Sequence, residues 1–245
     1  MSTDLRYEEF NNYGAVASAA PSERAIFVKR VYGHLAGAVL AFVAIEAAIF
    51  SSGMAEPLIK VMFGVPYSML FLMLLFIGGG YAAQAMARSA TSNVARYAGL
   101  GLYVLLEVVI FLPILYVAEL RFPGQYLPLQ AGVVTLAAFA GLTFFTVVSG
   151  KNFSFLGPIL SVMSFVALGV VIVSLFTGQG PGFAGIFAAA MVILAAGYIV
   201  YDTSNIMYAY RSDQYVSASL ELFASVALMF FYILRLFMAF GSNND

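Results

Sequence analysis

Within AAGYIVYDTSNIMYAYRSD, residues 195–213, an ionisable acid, Asp202, stands directly before Thr203, Ser204 and Asn205 inside an otherwise apolar run. A carboxylate in such a place can hold a proton, accept hydrogen bonds or offer hard oxygen ligands to Ca²⁺. On a helix, residues three and four apart are neighbours, so Tyr198, Asn205 and Ile206 flank Asp202. The Tyr198 hydroxyl and the Asn205 amide are both potential donors to it. The plainer alternative is a carboxyl group near a helix end, satisfied by Asn205 and backbone.

The next apolar run carries Glu221 and Ser225, four apart and therefore on one face. Asp202 lies about 9 Å from the end of its own helix at 1.5 Å per residue. If the two runs pair antiparallel about a short turn, Glu221 and Ser225 come to nearly the same depth. Two acids in one site share a proton and change state near physiological pH. Asp202 and Glu221 are also the candidate oxygen ligands for Ca²⁺.

An ionisable side chain inside a bilayer is costly and suggests function by default. Glu107, in LYVLLEVVIF, lies mid-span and should face protein or water. Both a place in an ion path and a buried, hydrogen-bonded role are open to it. Glu46 lies nearer a span end and is expected to snorkel. Arg235 is expected to pair with Glu46 or Glu107, or to snorkel. His34, one turn past Arg30, reads as a packed structural histidine.

The elements that position these residues are spanning helices. Of 245 residues, 62% are hydrophobic and 9% charged, against roughly 25% charged in soluble domains. Apolar runs of about 20 residues cross a bilayer. Seven occur, at 25–50, 58–86, 94–117, 129–149, 155–176, 183–208 and 216–240. The breaks between them hold turn formers or charges. The second run contains Gly64, Pro66 and Gly78–Gly80 and is expected to kink or tilt, or to split. Residues 1–24 read as a polar, disordered cytoplasmic tail, 25–240 as the seven-helix transmembrane domain and 241–245 as a short tail.

With the N-terminus in the cytoplasm, Arg6, Arg24, Lys29, Arg30, Arg88, Arg96, Lys151 and Arg211 lie inside, and Lys60 and Arg121 outside. That distribution follows the positive-inside rule. Gly33, Gly37 and Ala41 form a small-residue face expected to serve close helix packing. GQGPGFAG lacks the Lys-Ser/Thr ending of a phosphate loop and reads as an outer turn.

Other chemistries are poorly supplied. The chain has no cysteine and one histidine, and its net charge of −1 gives no reason to expect nucleic acid as a partner. No histidine or lysine stands at the depth an intramembrane serine protease requires. An aspartyl mechanism needs a second intramembrane aspartate, so no enzyme and no cofactor are expected.

Several stretches in order resemble the transmembrane Bax inhibitor motif family, the Bax inhibitor-1 family. They are KRVYGHLAGAVL, RYAGLGLYVLLEVVIF, GLTFFTVVSGKNFSFLGPIL and AAGYIVYDTSNIMY, and the resemblance covers about residues 24–240. The layout is most similar to bacterial members. The resemblance implies seven helices with the last one central and wrapped by the other six. It also implies a pH-modulated Ca²⁺ leak, with Ca²⁺ as permeant ion and two aspartates on helices six and seven sharing a hydrogen bond as the gate. Asp202 matches the first aspartate. Ser225 stands where the second would be, and Glu107 matches a common glutamate.

Two functions follow as expectations. One is a Ca²⁺ leak pathway, responsive to protons, with Asp202, Ser225, Glu221, Asn205 and Glu107 on the ion path. The other is a non-conducting regulator that acts by contact on a membrane-bound protease or on a stress or cell-death response. The expected setting is the lipid bilayer of a bacterial inner membrane.

Overall fold

A computed structural model describes residues 16–89, 92–177 and 184–241. The GQGPGF part of the expected outer turn lies outside these residues. Among the described residues all regular structure is helical. A 3-10 turn at Val16–Ser18 precedes α1 (Pro21–Ser51), α2 (Ala55–Phe63), α3 (Ser68–Ala87) and α4 (Asn93–Arg121). Then come α5 (Leu127–Ser149), α6 (Leu156–Thr177), α7 (Ala184–Tyr208) and α8 (Tyr215–Gly241). All but α2 are long and apolar enough to cross a bilayer, which makes seven candidate spans. The chain is an all-α integral membrane protein.

The second apolar run divides into two helices, α2 and α3, at a break the local chemistry explains. Pro66 disfavours a helical residue at Val65, and Tyr67 takes a left-handed φ of 63° before α3 begins. A Cβ at Gly64 would stand 2.7 Å from the Lys60 carbonyl oxygen, so the turn there requires glycine. The nine-residue α2 carries an exposed Glu56–Lys60 ion pair of 2.6 Å. At the far end of α5, Gly150 adopts a φ of 60° and closes the helix as a left-handed cap. Pro113 lies inside α4. It removes one ladder hydrogen bond, a defect that spanning helices tolerate when neighbouring groups cover it.

The chain forms two compact units. One comprises residues 20–121 with 211–223; the other comprises 1–19, 122–210 and 224–245. Helix α8 thus gives its first turns to one unit and the remainder to the other.

In the first unit, Phe42 of α1 packs edge-on against Phe111 of α4 at 5.1 Å between ring centroids. Phe223, on the first turns of α8, meets both Phe42 and Tyr103. The Ser219 hydroxyl lies 3.0 Å from the Val31 carbonyl oxygen and ties α8 to α1. Helix α3 approaches α4 so closely at Gly99 that a Cβ there would stand 2.5 Å from the Ala83 carbonyl oxygen. In the second unit, Leu160, Ala188, Met191, Leu194 and Tyr232 form a core between α6, α7 and α8. Phe165 and Phe176 on α6 are 75% and 81% exposed. Rings presented outward in this way belong against lipid.

Candidate functional site

Asp202, Thr203, Ser204 and Asn205 occupy consecutive positions near the C-terminal end of α7, and all four are buried. Consecutive helical residues point in different directions. Burying all four therefore requires cover on several sides, and three elements of the same unit supply it.

Helix α8 covers Asp202. Ser225 is itself buried, and its Oγ donates a hydrogen bond to Asp202 Oδ2. The α5–α6 link covers the next face: the Phe153 N–H donates to Ser204 Oγ at 2.8 Å, and the Tyr208 hydroxyl donates to the Gly150 carbonyl at 2.8 Å. Ser154 Oγ stands at the edge of reach, 3.5 Å from Asn205 Oδ1. The N-terminal segment supplies the last cover. Val16 is 1% exposed, and its N–H donates to the Tyr210 carbonyl oxygen at 2.9 Å. Thr203 Oγ1 is buried with no hydrogen-bond partner among the described residues. A hydroxyl with unused hydrogen-bonding capacity therefore stands one residue from the carboxylate.

The cover on Ser204 is testable. Ser204→Ala leaves the Phe153 N–H without its acceptor and should lower stability by about 1 kcal/mol. Thermal unfolding in detergent measures it, and an unchanged midpoint would show that the link does not rest on Ser204.

The Tyr198 hydroxyl, expected beside Asp202, lies 2.9 Å from Ser164 Oγ on α6. Glu221, expected to share the site with Asp202, belongs to the other unit. There it accepts a hydrogen bond from Arg88 Nη2 at 2.7 Å. The one-turn spacing between Glu221 and Ser225 is real, but a guanidinium from the end of α3 takes the carboxylate. This pair is substantially exposed, so Glu221→Gln should cost less than about 1 kcal/mol. It should also leave any pH dependence of ion flux unchanged; a displaced pH profile in vesicles would return Glu221 to the switch.

Glu107 also lies in that unit. It is 5% exposed, on the buried face of α4 that also carries Tyr103 one turn earlier. Glu46 does not snorkel. It is 5% exposed, on the buried face of α1 that also carries Phe42, and neither carboxyl oxygen has a partner among the described residues. Arg235, expected to pair with one of these acids or to snorkel, lies over the Phe231 ring, 5.8 Å from its centroid. The His34 Nδ1 stands 2.7 Å from the Arg30 carbonyl oxygen, and its ring packs on Tyr97 and Tyr215. Among the described residues no group of three or more acidic or histidine side chains is placed to hold a metal ion.

One functional-looking residue escaped the sequence reading. Arg96 is 8% exposed, and it joins the α3–α4 turn to the α7–α8 turn. Its Nε donates to the Ser89 carbonyl at 2.6 Å, and its Nη1 to the Asp213 carbonyl at 2.8 Å. Nη2 reaches Asp213 Oδ2 at 3.3 Å. In the sequence Arg96 is one of several basic residues expected on the inner side, and nothing marks it as the buried one.

Comparison with known proteins sets this geometry in a family. A "BI1-like protein" of Arabidopsis thaliana is 34% identical over 111 residues, 44% of this chain and 43% of that relative. The alignment thus spans less than half of the plant protein. The Golgi anti-apoptotic protein of Vaccinia virus is 28% identical over 232 residues, covering 94% of this chain and 92% of the relative. Bax inhibitor 1 of Schizosaccharomyces pombe is 28% identical over 238 residues, covering 97% and 85%. The family model described as "Inhibitor of apoptosis-promoting Bax1" matches residues 24–243. That match runs through all seven candidate spans, and the chain belongs to the Bax inhibitor-1 family.

Proposed function

We propose that the protein is a membrane leak pathway for Ca²⁺, gated where Ser225 holds Asp202. The observation that carries this reading is a buried carboxyl group, inside a spanning helix, held by a hydrogen bond from the neighbouring helix. Such a group is expensive to keep in a bilayer protein, and that expense argues for a function.

In the closed state, α7 and α8 are linked through the Ser225 hydroxyl and the Asp202 carboxyl. Parting them frees an oxygen ligand suited to a hard divalent cation. Serine does not titrate, so the proton response of the gate falls to Asp202 alone. A carboxylate pair shares its proton and titrates as a coupled unit; a Ser–Asp pair responds with the slope of a single proton. The N-terminus is assigned to the cytoplasm from the distribution of Lys and Arg. The sequence layout favours a bacterial inner membrane. On this reading the protein is a pathway, needing neither catalytic residues nor a cofactor.

Purified protein in sealed vesicles with an entrapped Ca²⁺ indicator tests the proposal. Wild type should pass Ca²⁺ above protein-free vesicles. Asp202→Asn, which removes the charge that attracts the cation, should lower the flux on the order of tenfold. Absence of flux at every pH would overturn it.

That outcome would favour the second reading, a regulator acting by contact on a membrane-bound protease or a stress or cell-death response. The names of the viral and yeast relatives support its cell-death part, and Val16, which seats an N-terminal segment beside the end of α7, supports action by contact. Under the leak reading, deletion of residues 1–15 spares Ca²⁺ flux; under the regulator reading, it removes the effect on the partner.

A further inference from the structure

Gly33 and Gly37 of the small-residue face of α1 meet no neighbouring helix among the described residues. A Cβ at Gly33 or Gly37 would meet no atom within 4 Å, and the same holds for Gly101 on α4. These glycines instead line a groove between α1 and α4 of about 930 Å³. Its floor is made by Ala38, Leu100 and Val104, all buried. Ile26 and Leu105, each 53% exposed, line it more openly.

One end of the groove is chemically different from the rest. Lys29, Arg30, His34 and Tyr97 line it there. Lys29 and Arg30 are exposed, and neither forms an ion pair with a carboxylate among the described residues. The Arg30 guanidinium lies over the Tyr215 ring, 5.2 Å from its centroid, which holds it in place. From Lys29 to the end of α1 at Ser51 the helix rises about 33 Å at 1.5 Å per residue. That is close to the roughly 30 Å of a bilayer hydrocarbon core. The two cations therefore stand at headgroup level, and the apolar groove runs from them toward the bilayer interior.

We infer that this groove binds a phospholipid with an anionic headgroup. The phosphate is held by Lys29 and Arg30, and an acyl chain lies along Gly33 and Gly37 over the Leu100–Val104 floor. Charge complementarity selects this occupant. Basic pockets between spanning helices suit anionic lipid headgroups, and the apolar length below them suits a hydrocarbon chain. A second copy of the chain fits less well. Two copies in one membrane share an orientation, so pairing through this face would bring Lys29 and Arg30 of both copies together at one depth.

Native mass spectrometry of the detergent-solubilised full chain tests the inference, with dioleoyl phosphatidylglycerol and dioleoyl phosphatidylcholine as probes. Wild type should retain phosphatidylglycerol in preference to phosphatidylcholine. The Lys29→Gln, Arg30→Gln double variant should lose about 25-fold in phosphatidylglycerol affinity, roughly fivefold per cation, with phosphatidylcholine unchanged. Gly37→Leu fills the groove and should weaken retention of both lipids. Ala41→Leu, further along the groove, serves the same purpose should Gly37→Leu not fold.

Equal retention of the two lipids by wild type would overturn the inference, as would affinities unmoved by all three variants. Displacement of phosphatidylglycerol by inorganic phosphate alone would show a simple anion site. A wild-type dimer broken by Gly37→Leu would show that a second copy is the occupant.

Discussion

Replacing Ser225 by alanine should raise Ca²⁺ leak through vesicles by about tenfold or more. The hydroxyl donates to Asp202 Oδ2, and both residues are buried. Without it, the carboxyl group keeps its desolvation cost and loses a partner, a penalty of about 1–3 kcal/mol. In the open state water can hydrate the carboxyl, so the penalty falls on the closed state. Each 1.4 kcal/mol then moves the closed-to-open ratio tenfold. Stability should fall in parallel, because the acid that has lost this donor belongs to the folded, closed form. Ser225→Asp should act differently: a second carboxyl group creates a shared proton, and the acid response of the leak should divide into two separate steps. Flux measured across a pH series separates the two variants. A Ser225→Ala protein whose leak matches wild type at every pH would mean that the bond is structural and has no part in gating.

Gly99→Ala should cost stability at or above the upper end of the usual range for overpacked sites, roughly 3 kcal/mol. A Cβ at this position would stand 2.5 Å from the Ala83 carbonyl oxygen and 2.6 Å from the Ala87 nitrogen. Both atoms are backbone of α3, so no side chain can swing aside and the helices must part. Gly37→Ala supplies the contrast. Its Cβ would meet nothing within 4 Å, and alanine is the better helix former. It should leave stability within about 0.5 kcal/mol of wild type or raise it. Thermal unfolding of both variants in one detergent gives the comparison. Equal midpoints for the two would contradict the close approach of α3 and α4.

These two glycines show how far the sequence can be read. The seven spans were legible because lipid demands long apolar runs, and the demand leaves a one-dimensional trace. The neighbourhood of Asp202 was legible in part: counting residues from the helix ends sets it level with Glu221 and Ser225, and the structure joins it to Ser225 by a hydrogen bond. Direction around a helix was much less so. Gly33, Gly37 and Ala41 have the spacing of a packing face, yet Gly33 and Gly37 open onto a groove, whereas Gly99 makes the tightest helix approach without any motif around it.

The surroundings of the charged residues were hard to read for the same reason. Glu221 has the right spacing to join Asp202, but Arg88, 133 residues earlier in the chain, takes its carboxylate. Glu46 is near enough to a span end to snorkel, yet it lies on the buried face of α1. Arg96 counts as one more inner cation until its three contacts show it clamping two turns together. In an amphipathic soluble helix, polar residues mark the outer face. In a chain that is apolar on all sides that marker is absent, and facing is decided by partners distant in sequence.

The central claim, that the Asp202–Ser225 hydrogen bond controls a cation path, is tested most directly by a double-mutant cycle on Ca²⁺ flux in vesicles. Ser225→Ala is made both in the wild type and in an Asp202→Ala background, where no acceptor remains. If the bond is the gate, Ser225→Ala raises the leak about tenfold in the wild type and changes nothing once the Asp202 carboxyl is gone. An equal change in both backgrounds would contradict the account, because the effect of Ser225 would then not pass through Asp202.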